Sequence, residues 1–85
     1  MLYVYVLRSK VDGNFYIGQS ADLKKRLLEH NTAQVPSTQR RIPLELVYYE
    51  ACTHRSDALH REKYLKTTYG HRYLRNRLKY GLLSA

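Results

Sequence analysis

The sequence predicts an α+β fold, a three-stranded antiparallel sheet flanked by helices in the order ββαβαα. Three observations carry the prediction. The opening run Leu2-Tyr3-Val4-Tyr5-Val6-Leu7 is β-branched and aromatic throughout, as strands prefer. Asp12-Gly13 is a turn signal that joins this run to a second one over 14–18, giving a hairpin. Apolar residues at helical spacing then recur in three later segments, with one further strand-like run between the first two.

Each element has its own signals. With the hairpin turn near Val11 and Asp12, Tyr5 and Tyr16 are expected to fall opposite each other on one face. A first helix is expected over 20–30, with Ser20 as N-cap and Asp22 in the first turn, where the helix dipole favours an anion. Leu23, Leu27 and Leu28 form its core stripe, while Arg26 and His30, four apart, share a side. Residues 31–41 are polar, contain Pro36, Ser37 and Thr38, and read as a loop ending in Arg40-Arg41 before Pro43. A third strand is expected over 44–50. Ser56 is the expected cap of a second helix over 57–67, with Ala58, Leu59, Tyr64 and Leu65 turned inward. Gly70 should break the pattern before a last, strongly basic helix over 71–80, which sets Arg72, Arg75, Arg77 and Lys79 around Leu74 and Leu78. No repeat, low-complexity tract or linker interrupts the chain, so residues 1–85 are expected to form one domain.

Composition narrows the function. Hydrophobic residues make up 44% of the chain, enough for a thin core. Nine tyrosines accompany one phenylalanine and no tryptophan, so many rings should sit half-buried with a hydroxyl seeking a partner. Fifteen Lys and Arg against seven Asp and Glu give a net charge of +8, and the pI is about 9.8. Such a surplus favours polyanions, nucleic acid above all. No segment combines a wide apolar face with a basic one, and none is long and apolar enough to span a bilayer, so no membrane partner is expected. A single cysteine, Cys52, excludes an internal disulfide and a cysteine-based zinc cluster; a small buried residue is expected there. Residues 1–7 lack the charged leader of a signal peptide, which points to the cytoplasm.

Glu62 breaks the local rule. It lies three residues after Leu59, four after Ala58 and three before Leu65, on or beside the apolar stripe of its helix. A carboxylate there must be paired or bound to a metal. One reading pairs it with Arg26 or another cation. The other gives it a metal, and since no second acid clusters with it, the ion would keep waters and phosphate oxygens, as Mg²⁺ does. Tyr5, Tyr16, Arg26 and His30 each have an ordinary structural reading as strand aromatics or surface helix residues.

Taken together, Tyr5, Tyr16-Ile17-Gly18, Arg26 ten positions later, His30 and the helical Glu62 resemble the GIY-YIG nuclease family over essentially the whole chain. The stretch Arg61-Glu62-Lys63-Tyr64-Leu65-Lys66 is similar to small free-standing bacterial members, and the whole is similar to the N-terminal nuclease domain of the bacterial excision-repair endonuclease. Tyr3 stands where the first signature usually has glycine. The resemblance implies the GIY-YIG fold and metal-dependent hydrolysis of DNA, with RNA also a candidate substrate. It implies Mg²⁺ or Mn²⁺ on Glu62, and Tyr5, Tyr16, Arg26, His30 and Glu62 as catalytic residues, with Tyr5 deprotonating water and nearby cations lowering its pKa. Lys24, Lys25, Thr38, Arg40, Arg41, Arg61, Lys63, Lys66, Arg72, Arg75 and Arg77 are the expected nucleic-acid contacts. Asn76 joins them as the family's late asparagine. They would position the backbone rather than read bases, and the protein would act as a monomer or weak dimer. The alternative is a non-catalytic nucleic-acid-binding module on the same fold.

Overall fold

The structure, a computed structural model, describes residues 1–83 of the chain. β1 (Leu2–Ser9) is the middle strand, and the alternation of its side chains divides the molecule into layers. β2 (Phe15–Ser20) and β3 (Leu44–Cys52) flank it, both antiparallel, in the order β2-β1-β3. Val4 and Val6 point into a cluster completed by Ile17, Ala58, Leu65 and Leu74. Tyr5 and Leu7 point the other way, toward Leu44, Leu23 and Leu27. Hence α2 (Arg55–Leu65) and α3 (Thr68–Arg77) cover one face and α1 (Leu23–Asn31) the other. β1 reads as an unbroken apolar run because both of its faces are covered. The five-residue α4 (Lys79–Leu83) follows α3. No helix among the described residues is long and apolar enough to cross a membrane.

The α+β class and the order ββαβαα are as expected, with α4 added, but several local expectations are corrected. Tyr5 pairs with Gly18, and Tyr16 pairs with Leu7. The two tyrosines therefore share a face diagonally, two residues apart, rather than lying opposite. Ser20 ends β2, and its hydroxyl accepts the Asp22 N–H at 3.0 Å. Asp22 is the N-cap of α1, accepting the Lys25 N–H at 3.0 Å; a carboxylate competes well with a hydroxyl for this place. His54 caps α2 through Nδ1, which accepts the Ser56 N–H at 3.0 Å, so Ser56 lies inside the helix. Only Ala58 and Leu65 of the expected inward stripe are buried, while Leu59 and Tyr64 are 44% and 37% exposed. Cys52 is a half-buried free thiol.

Gly70 does not end a helix. It sits buried in the first turn of α3, which Thr67 caps by accepting the Gly70 N–H at 3.1 Å. A Cβ at position 70 would run into the Tyr64 carbonyl oxygen and the Leu65 backbone. The glycine is needed because α3 folds back against the end of α2.

Residues 31–41, expected to be a polar loop, are tied into the fold, and Asn31 belongs to the end of α1. Val35 and Thr38 are buried. The Asn31 side chain accepts the Leu44 N–H at 2.7 Å and donates to the Leu44 carbonyl at 2.9 Å. Ser9 donates to the Arg41 carbonyl at 2.6 Å, and Arg41 Nε donates to Asp12 at 2.9 Å. Gly70→Ala should therefore lower stability by about 2 kcal/mol or more, read as a lower denaturation midpoint. Gly81→Ala, where a Cβ meets nothing within 4 Å, should leave the midpoint unchanged or slightly higher.

Candidate active site

Tyr5 is 1% exposed, in the middle of the sheet. A hydroxyl so placed requires a partner, and its Oη lies 2.9 Å from His30 Nε2. His30 is itself fully buried in the last turn of α1, with Nδ1 2.8 Å from Thr38 Oγ1. The Thr38 hydroxyl faces the Val35 carbonyl at 3.4 Å. With His30 in its Nδ1–H tautomer, all three contacts are satisfied at once. Thr38 directs its own proton to the carbonyl and receives the Nδ1–H of His30. Nε2 is then the unprotonated nitrogen, and Tyr5 donates to it.

Tyr16 closes the cluster, its ring centroid 5.0 Å from His30 and 6.5 Å from Tyr5. Gly18, the cross-strand partner of Tyr5, has no side chain for a physical reason. A Cβ there would lie 2.6 Å from Tyr5 Oη, so the glycine makes the space in which the hydroxyl reaches His30.

Electrostatics refine the roles. Burial raises the Tyr5 pKa above its ordinary 10, the neighbouring Arg26 pulls it back, and Tyr16 and Glu62 add to the rise. Arg26 acts in the expected direction, but burial outweighs it, and Tyr5 rests as the neutral phenol. Burial first, then Arg26, lowers the His30 pKa, so His30 rests as a neutral imidazole. Arg26 is held protonated by Tyr5 first and by Glu29 second, to which it donates at 3.1 Å.

Glu62 does not pair with Arg26. Its carboxylate, only 15% exposed, accepts from Lys66 Nζ at 2.9 Å one turn along α2, and its charge is felt by Tyr5. Among the described residues no three His, Cys, Asp or Glu side chains converge. A hard cation that keeps its waters needs only one or two carboxylates, and a shielded carboxylate whose field reaches Tyr5 fits that demand.

The expected nucleic-acid contacts separate into two groups. Lys24, Lys25, Arg40, Lys63, Arg72, Arg75, Asn76 and Arg77 are exposed. Four others are engaged. Thr38 is buried beneath His30, Arg41 is held by Asp12, and Lys66 is paired with Glu62. Arg61 grips Glu50 with Nη2 at 2.8 Å and lies over the Tyr73 and Tyr64 rings. Sequence reasoning missed the Thr38 partnership and the reason for Gly18, because both depend on which side chains meet across elements far apart in the chain.

The model of the GIY-YIG catalytic domain matches residues 1–79. The chain belongs to the GIY-YIG family. Three relatives are all UPF0213 proteins. That of Staphylococcus saprophyticus is 41% identical over 66 residues, covering 76% of this chain and 79% of its own. That of Staphylococcus epidermidis is 39% identical over the same coverage. That of Streptococcus agalactiae is 38% identical over 65 residues, 75% of this chain and 73% of its own. No solved structure matches the chain. The GIY-YIG family is one of nucleases, generally dependent on a divalent metal, which suits the site around Tyr5.

Because the folded His30 pKa lies below the unfolded value of about 6.5, the unfolded chain binds more protons just below that pH. Stability should be greatest above about pH 6.5 and fall as the pH drops through it, by at most about 1.4 kcal/mol per pH unit. Denaturant midpoints between pH 7.5 and 5.5 should show this slope, and His30→Gln should flatten it. Glu50, which burial raises but Arg61 and Tyr48 hold below the usual carboxylate range, acts only at lower pH.

Proposed function

We propose that this GIY-YIG protein is a metal-dependent endonuclease that hydrolyses DNA phosphodiester bonds. The observation that carries the reading is the hydrogen-bonded chain from Tyr5 through neutral His30 to Thr38. A hydroxyl of raised pKa is a poor base alone, but one already aimed at an unprotonated imidazole can pass its proton on as it receives another. As water attacks phosphorus, Tyr5 Oη takes a water proton and gives its own to His30 Nε2, which becomes an imidazolium held by Thr38. The new P–O bond forms, the bond to the 3′ oxygen breaks, and that oxygen takes a proton from solvent.

Arg26 supplies positive charge beside Tyr5 for the oxygens of the transition state. Tyr16 positions the water or the phosphate through its hydroxyl. Glu62 would hold Mg²⁺ or Mn²⁺, leaving Lys66 to a phosphate; when bound, the ion polarises the phosphate and neutralises the departing oxygen. Lys24, Lys25, Arg40, Lys63, Arg72, Arg75 and Asn76 hold the backbone, so selectivity should follow DNA shape more than base sequence.

Cleavage of a panel of labelled duplex, single-stranded, overhang and Y-shaped DNAs tests the reading. Glu62→Ala should lower the rate about a hundredfold or more, as should Tyr5→Phe, and excess chelator should stop the reaction. Wild-type rates in either variant would remove that residue from the mechanism, and binding without any cleavage would leave a non-catalytic clamp. Binding should weaken with salt, and Lys25→Ala or Arg40→Ala should each reduce the slope of log K against log salt by about one.

A further inference from the structure

Tyr3 and Tyr49 take no part in the Tyr5 relay, yet they share its face of the sheet. Tyr49 is the cross-strand partner of Tyr5 on β3, and Tyr3 lies two residues from Tyr5 along β1. Residues so related stand about 5–7 Å apart at the backbone. The two rings meet edge to face at 6.0 Å between centroids, and Tyr49 remains 53% exposed. With Leu23, Lys24, Leu27 and Leu46 they line an open groove of about 460 Å³, a size within the usual range of small-molecule sites, about 300–1,000 Å³. Glycine at position 3, the family's usual residue, would leave Tyr49 without the ring that braces it.

A second groove, lined by Gln19, Lys25, Arg26 and Glu29, runs along the other flank of α1. The two share Ala21 and Asp22, the turn that enters the helix. Consecutive lysines thus serve them separately, Lys24 in the aromatic groove and Lys25 beside Arg26. The Asp22 carboxylate at the junction is occupied in capping the Lys25 N–H. An aromatic wall with Lys24 at its rim adjoins, through Ala21 and Asp22, a groove in which Lys25 and Arg26 stand beside Glu29, the partner of Arg26 at 3.1 Å. A ring face next to two such cations is complementary to a nucleotide: a π-face, and a phosphate that can take the place of Glu29 on Arg26.

We propose that the Tyr3–Tyr49 groove receives an unpaired nucleobase, from the nucleotide next to the phosphate held at Tyr5 and Arg26. The proposal rests on nucleic acid being the substrate and adds that the strand is locally unpaired. A base within a duplex has both faces already stacked and cannot enter the groove. Stacking is tolerant of sequence because every base has a π-face, so the groove selects for unpairing and not for base identity.

The test is binding in excess chelator, where cleavage plays no part. Two DNAs carry 2-aminopurine, one in a single-stranded overhang and one inside a duplex. The wild-type protein should quench the overhang fluorophore and leave the duplex one bright. Tyr49→Ala, at a half-exposed site where folding is checked by circular dichroism, should weaken overhang binding about fivefold or more and leave duplex binding unchanged. Tyr49→Phe should retain the wild-type values. Equal losses on both DNAs, or no loss on either, would overturn the proposal. So would a wild-type dimer in sedimentation that Tyr49→Ala converts to monomer, since the groove would then be an interface between copies. Overhang-selective binding with no cleavage when metal is restored would support the groove while removing the nuclease reading, and absence of any DNA binding would remove both.

Discussion

The hydroxyl of Tyr5 is the constraint on which the rest of the structure depends. A polar atom in the centre of a sheet covered on both faces costs free energy unless it is satisfied, and Gly18, His30 and Thr38 are arranged around that requirement. β2 contributes a residue without a side chain, Gly18. α1 contributes His30 from its last turn, and the segment before β3 contributes Thr38 to fix the ring. The segment is held in turn by Asn31 at the start of β3 and by Ser9 and Asp12 against Arg41. A buried network satisfied at each member specifies one arrangement, which gives the catalytic reading its geometry before any substrate arrives.

The charges of the chain serve two purposes that composition alone does not separate. Arg61, Glu50, Tyr48 and Tyr73 form a polar cluster: Tyr48 donates to Glu50 at 2.6 Å, and Arg61 clamps the same carboxylate. Burial first, then Glu50, pushes the Tyr48 pKa well up, so this hydroxyl stays a donor. Arg41 and Lys66 are likewise committed to carboxylates. Among the described residues, Lys24 and Lys25, exposed on either flank of α1, carry no such ion pair.

The elements were legible because their signals are local. The β-branched run of β1, the Asp12-Gly13 turn and the leucines of α1 fix strand, hairpin and helix without reference to distant residues. Boundaries were less legible. Asp22, His54 and Thr67 took the caps because each had a side chain in reach of an open N–H, and several residues near a helix start can compete for that place. Gly70 was misread as a stop because a glycine that permits close packing is identical in sequence to one that ends a helix.

Sequence by itself determined the fold class, the basic character and the family, and it supplied the candidates for the site: two tyrosines, an arginine, a histidine and a glutamate. Tertiary structure alone decided what those residues do to one another. That Thr38 orients His30, that His30 faces Tyr5, that Glu62 pairs with Lys66, and that Tyr49 stands beside Tyr5 all follow from strand register and helix packing. The physical reason is range. Propensity and periodicity act over a few residues, whereas a proton's direction along a buried chain is set by atoms up to 25 positions apart in sequence.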